Sequence, residues 1–157
     1  MNLELDILSV FEKQWALLTA GDQDSFNTMT IGWAQLGTLW GKPVANVYVR
    51  DSRYTLGFMD DNDYFTVSFY PEECKSALVT LGSKSGRDMD KMNDSGLTPE
   101  FLDNGVTFKE AKLTLVCKKM HKQILDPDAM PEDVREAYYS DEDWHEMYIG
   151  EIIDIIK

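Results

Sequence analysis

The chain has 157 residues, 43% of them hydrophobic, with four Trp, seven Tyr and seven Phe. That is enough for a single domain, residues 1–157, with a sizeable core, and it excludes a disordered chain. The net charge is −13, and between Asp126 and Asp154 eleven carboxylates stand against Arg135 alone. A nucleic-acid partner needs a basic footprint and is not expected, although a local cationic pocket remains open to the chain.

No apolar run is long enough to span a membrane, and the first residues lack a basic leader, so no membrane partner is expected. Cys74 and Cys117 are too few for a disulfide scaffold or a four-Cys zinc site. The expectation is a cytoplasmic protein with two reduced thiols.

In chain order, Leu5, Leu8 and Val10-Phe11 predict a short amphipathic helix over Leu3 to Lys13. Gln14 to Ala20 reads as a strand, and Gly21 to Ser25 as the turn of a hairpin from Trp15 to Trp33. From Thr28 to Ala34 the side chains alternate. Met29, Ile31 and Trp33 point one way, and Thr28, Thr30, Gly32 and Ala34 the other. The second face is small and hydroxyl-rich, so another group can approach that backbone.

Thr38 to Pro43 breaks the chain before a strand from Val44 to Arg50. Asp51-Ser52 then offers a turn and a helix N-cap ahead of Arg53, Tyr54 and Thr55. A helix start with a free hydroxyl, flanked by Arg50 and Arg53, suits an anion. The whole segment from Phe26 to Thr55 therefore reads either as the seat of a planar, phosphate-bearing ligand or as a buried hairpin leading into a surface helix.

Tyr64 to Tyr70 is strand-like, and Pro71-Glu72-Glu73 opens a helix to about Leu81. Gly82-Ser83-Lys84-Ser85-Gly86-Arg87 lacks the Gly-Lys-Ser/Thr ending of a P-loop. Its backbone N–H groups, with Lys84, Arg87 and Lys91 nearby, can still form an anion-binding concavity, or it can be a solvated loop. Asp88 to Ser95 predicts a helix stopped by Gly96, and Thr98-Pro99-Glu100 a turn or short helix. Ala111 to Ile124 is a long strand, Pro131 to Tyr139 an acidic helix, and Trp144 to Ile156 a closing strand. About six mostly antiparallel strands without regular βαβ alternation exclude a Rossmann sheet and predict a small closed or split β-barrel.

His121 and His145 are the only histidines and are not at metal-ligand spacing. There is no Gly-x-Ser-x-Gly elbow for hydrolase chemistry. Cys74, beside Lys75, reads as an inert thiol more readily than a reactive one. The acidic helix is either a solvated face or a docking surface.

Taken as an ordered set, several motifs resemble the flavin reductase-like family with the FMN-binding split barrel, flavoredoxin-type members included. They are Phe26-Asn27-Thr28-Met29-Thr30-x-x-Trp33, Gly37-x-x-Trp40-x-Lys42-Pro43, Arg50-x-x-Arg53-Tyr54-Thr55, Phe65-Thr66-Val67-Ser68-Phe69, Ser85-Gly86-Arg87-Asp88-x-Asp90-Lys91 and His145-x-x-Tyr148-x-Gly150-Glu151. The resemblance implies a mainly β fold, an antiparallel Greek-key split β-barrel with peripheral helices. It implies a homodimer holding FMN non-covalently, with flavin sites near the subunit interface.

Carried over by residue, the resemblance puts Asn27, Thr28, Thr30 and Trp33 beside the flavin. Arg53 and Thr55 would meet the phosphate or ribityl chain, and Lys91 would supply a second cation. Arg50, Ser83, Ser85, His121 and Tyr148 complete the expected cofactor-binding set. His145 would sit on the open flavin face, as the catalytic residue against which a nicotinamide stacks. Two functions follow: an NAD(P)H-dependent flavin reductase-like oxidoreductase, or an FMN electron-transfer protein that exchanges electrons with a protein partner and has no nicotinamide site.

Overall fold

A computed structural model describes residues 3–87 and 90–157. The N-terminal helix is short, α1 (Ile7–Ser9), and widens into a π-helical turn over Val10–Gln14. Strand β1 (Ala16–Gly21) pairs with β2 (Phe26–Ile31) across the expected hairpin. Gly21 takes φ +115°, and a Cβ there would lie 2.2 Å from the Ser25 carbonyl, so only glycine fits. Asp22 Oδ1 accepts from the backbone N–H groups of Asp24 and Ser25 and closes the turn.

The predicted strand to Ala34 stops at Ile31 instead. Met29 and Ile31 are buried, but Trp33 is 48% exposed and does not share their face. Trp15 at φ +63° turns the chain away from β1, its ring and the Phe11 carbonyl lie beside Gly32, and pairing ends at Ala16–Ile31. A new strand, β3 (Ala34–Leu39), then pairs with β4 (Lys42–Arg50). Positive φ at both Trp40 and Gly41 makes the two-residue turn that suits strand twist, so the expected break over 38–43 shrinks to two residues.

Helix α2 runs Thr55–Asp61, with Tyr54 as its N-cap residue and no side-chain cap. Ser52 is not the expected cap. Its N–H and hydroxyl both donate to the Asp143 carboxylate. Strand β5 (Tyr64–Phe69) follows, then a 3₁₀ turn over Glu72–Cys74 and α3 (Lys75–Ser83). Helix α4 (Lys91–Ser95) ends on Gly96 in the left-handed conformation, as predicted. Thr98-Pro99-Glu100 is neither turn nor helix: Pro99 opens β6 (Pro99–Leu102), which pairs with β7 (Gly105–Phe108). A proline is tolerated there because it is the first residue of a strand in a two-stranded ladder. Long strand β8 (Leu113–Ile124), acidic helix α5 (Glu132–Tyr138) and β9 (His145–Ile156) complete the fold.

Among the described residues there are nine strands rather than six. Seven form one antiparallel sheet in the order β2-β1-β5-β8-β9-β4-β3. At about 4.8 Å per step, a flat sheet would hold its edge strands roughly 29 Å apart. Yet Met29 and Ile31 of edge strand β2 pack in one apolar cluster with Ala34 and Leu36 of edge strand β3. The sheet is therefore rolled into a barrel whose edges meet without a ladder between β2 and β3. Leu18, Val47, Phe65, Leu115 and Tyr148 fill its inside.

The opposite face of β1, β5 and β8 is also buried. Leu17, Leu78, Leu81 and Phe108 form a second cluster under α3 and the β6–β7 hairpin. The Ser68, Thr107 and Thr114 hydroxyls bond to one another beside it. Here the small hydroxyl face of β2 meets its neighbour: Thr30 donates to the Leu78 carbonyl, and α3 is the group that approaches.

Candidate functional site

Two pockets lie against the outside of β2 and share one residue, Arg53. The larger is a cleft of about 290 Å³ lined by Met29 to Trp33, Tyr48, Arg50, Arg53 and His145. The smaller, of about 110 Å³, is lined by Asn27, Ser52 to Thr55 and Gly82 to Ser85. The break after Ile31 creates the cleft: it turns Trp33 outward, edge-on to Tyr138 at 5.3 Å and tilted against His145 at 5.2 Å.

Arg53 sits at the junction. Its Nη1 donates to the Gly82 carbonyl at 3.2 Å, while Nη2 is buried without any partner. Burial pulls its pKa down and Asp143 opposes that pull, yet a guanidinium keeps its charge. A buried, charged donor left unpaired is costly, and an anion seated beside it would satisfy it. In the smaller pocket Asn27 Nδ2 donates to Thr55 Oγ1 at 2.7 Å, which fixes both side chains. The amide and hydroxyl groups around Arg53 fit a phosphate, and the aromatic-walled cleft fits a planar ring system.

His145 is buried at the back of the cleft, with Nδ1 2.7 Å from the Tyr139 hydroxyl. Burial first, and the Arg50 charge second, push its pKa down to about 4 against the pull of Asp143. It is therefore a neutral imidazole at pH 7. Arg50 lines the cleft but has other partners: it donates to the backbone carbonyls of Asp143 and Tyr138, both at 2.8 Å, and stacks on Tyr139. It fastens the acidic segment to the cleft wall.

The structure thus brings Asn27, Thr30, Trp33, Arg50, Arg53, Thr55, Ser83, Ser85 and His145 to the paired pockets. Thr28 lies behind them, fully buried, bonded to Thr19 and the Leu18 carbonyl. His121 is exposed on β8, against Gln123 and Trp40, and Tyr148 is buried in the barrel with its hydroxyl on Asp60; neither lines either pocket. The side chain of Lys91 lies outside the described residues.

Sequence reasoning missed Tyr48, Tyr54 and Tyr139. Tyr48 had a signal, being two residues before Arg50 on the same strand face. No group of three or more metal-ligating residues occurs among the described residues, and none of their helices is long and apolar enough to cross a membrane.

The comparisons with known proteins bear on the fold. The chain superimposes on a flavoredoxin from Methanosarcina acetivorans with a TM-score of 0.71 at 22% identity, covering 100% of this chain and 74% of that one. Flavoredoxin of Desulfovibrio vulgaris (Miyazaki F) gives 0.71 at 22%, covering 99% and 76%. An FMN-binding protein from Thermus thermophilus gives 0.70 at 17%, covering 100% and 79%. At these identities the likeness is one of fold, and a similar structure from Shewanella frigidimarina is described as a split barrel domain. A comparison with curated proteins finds no match. The model of the flavin reductase like domain matches residues 8–156, and the chain belongs to that family.

Proposed function

We propose that the protein is an FMN-binding oxidoreductase reduced by NAD(P)H. In this reading the flavin ring occupies the cleft and the phosphate the smaller pocket. The unpartnered, buried Arg53 Nη2 where the two pockets join carries the reading. When bound, FMN supplies the electron chemistry. The chain's own residues do the rest. Arg53 binds the phosphate end, Asn27 and Thr55 orient it, and Trp33 and Tyr48 wall the ring. His145 presents a neutral face against which a nicotinamide can stack. The homodimer belongs to the same reading, as does a cytoplasmic location, which the two free cysteines suit.

A second reading, an FMN electron carrier served by a protein partner, is favoured by acidic α5, whose Tyr138 touches Trp33 beside the cleft. Anaerobic mixing of the FMN-loaded protein with NADH or NADPH separates the two. Bleaching of the flavin absorbance by either nucleotide is expected. No bleaching, with reduction by a reduced protein donor, would establish the carrier.

The phosphate assignment has its own check. Arg53→Ala should weaken FMN at least about tenfold, because a charge-assisted hydrogen bond contributes roughly 1.5–3 kcal/mol, and should leave riboflavin nearly unaffected. Equal loss for both flavins, measured by titration, would put the phosphate elsewhere.

A further inference from the structure

Another pocket, of about 200 Å³, shares no lining residue with the two described above. Gln14, at the end of the π-helical turn, lines it together with Tyr70, Glu72, Lys75 at the start of α3, and Lys112 just before β8. Two ammonium groups converge there on Gln14. Lys75 Nζ donates to the Gln14 carbonyl at 3.3 Å and to the Lys13 carbonyl, and Lys112 Nζ donates to Gln14 Oε1 at 3.1 Å. Lys75 Nζ also stands 3.5 Å from the centre of the Trp15 ring. The chain carries 28 acids against 15 bases, yet neither lysine forms an ion pair among the described residues. Glu72 lines the same pocket and pairs with neither of them. Two like charges drawn to one residue repel, and neutral carbonyl partners do not cancel them. Tyr70 is 4% exposed, and its hydroxyl is buried without a partner. The Ser68 hydroxyl, two residues earlier, is bonded to Thr107 and Thr114 instead. A buried hydroxyl left unpaired is costly.

From this we propose that the pocket binds a small oxyanion, a carboxylate or inorganic phosphate, held by Lys75 and Lys112 with the Tyr70 hydroxyl as a further donor. Charge-assisted bonds from two ammonium groups suit an oxyanion of either kind, and its charge offsets their repulsion. The volume lies below the roughly 300 Å³ at which pockets for drug-sized ligands begin. The ligand is therefore small, and a flavin or a dinucleotide is excluded. The inference stands apart from the flavin reading, since no residue is common to the two sites.

Calorimetric titration of the full chain with succinate and with inorganic phosphate, at fixed ionic strength, tests this. Saturable binding of at least one ion in the millimolar range or tighter is expected, and the tighter of the two identifies the class. The double variant Lys75→Gln, Lys112→Gln should weaken that binding at least about tenfold, and Tyr70→Phe, which removes only the hydroxyl, by a smaller factor. Far-UV circular dichroism matching the unmodified protein reports that the variants are folded. Arg53→Ala should leave the oxyanion affinity as it was, because Arg53 belongs to the other pockets. No saturable heat with either ion up to about 10 mM would overturn the proposal. Binding that the lysine and tyrosine variants leave unchanged would show an adventitious ion only and overturn it as well. Binding lost in Arg53→Ala instead would put the ion beside Arg53 and overturn the separate site.

Discussion

His145 shows how one residue ties the site to stability. It is buried, bonded to Tyr139 and flanked by the Arg50 charge, so its folded pKa lies at about 4 against 6.5 unperturbed. Its contribution to stability is complete above about pH 6.5 and is lost as pH falls towards 4, because in that window the unfolded chain binds the proton that the folded chain refuses. His145→Asn, which cannot titrate there, should flatten the fall in Tm across that window relative to the unmodified protein, as read by thermal denaturation from pH 7 to pH 4. An identical slope would remove His145 from the account. At this scale Arg53 and Thr55 stood out in the sequence as polar residues at a helix start, and Asn27 came from the family resemblance; the structure puts all three on the smaller pocket. The Tyr139–His145 bond was not, since a loop brings the pair together and no periodicity encodes a loop. Nor was the fate of Ser52: local capping chemistry favoured the helix, and Asp143, distant in sequence, took both of its donors.

Among the elements, α5 is held to the barrel by few side chains, chiefly Arg50 and the Trp33–Tyr138 contact. It is short, its residues are half-buried or exposed, and Arg50 reaches its last carbonyl and that of Asp143. The ion pairs of Arg50 with Asp141 and Asp143 are at 3.7 and 4.0 Å on partly exposed groups and add little. Arg50→Ala should therefore raise amide hydrogen exchange across residues 132–143 by roughly tenfold or more, through the loss of two charge-assisted bonds, while the barrel strands keep their protection. Uniform loosening of the whole chain would show that Arg50 supports the barrel instead. Strands whose apolar residues alternate, such as β5 and the inner half of β8, were legible. The β6–β7 hairpin was not. Pro99 and its flanking polar residues carry turn chemistry, and the hairpin is held by what it covers: Thr66 Oγ1 bonds the Val106 carbonyl, and Phe108 enters the second core. Tertiary burial decided that segment against its local preference.

For the molecule as a whole, the outer surface is not uniformly polar. An apolar groove lined by Leu3, Leu5, Ile7, Leu36, Pro43, Ile152 and Ile155 lies near one end of the barrel, and Trp40 is 66% exposed. Large exposed apolar surface commonly marks an interface, and a second copy is the occupant that the homodimer reading requires. Light scattering of the FMN-loaded protein at micromolar concentration should give twice the 18.0 kDa chain mass. A single-chain mass would contradict the dimer. Antiparallel fold class was legible from short connections between strands, but strand order was not, because β9 joins two strands that sequence keeps far apart. It lies between β8 and β4, pairing Arg50 with His145 and Val44 with Glu151. That placement constrains how the protein is made. As the chain leaves the ribosome, the β3–β4 hairpin emerges early and must wait, one edge bare, until β9 has been synthesised; only then can the two halves of the barrel join. Folding is thus deferred to late in synthesis, and a nascent chain stopped short of His145 carries an unpaired, apolar strand edge of the kind that chaperones bind and that otherwise aggregates.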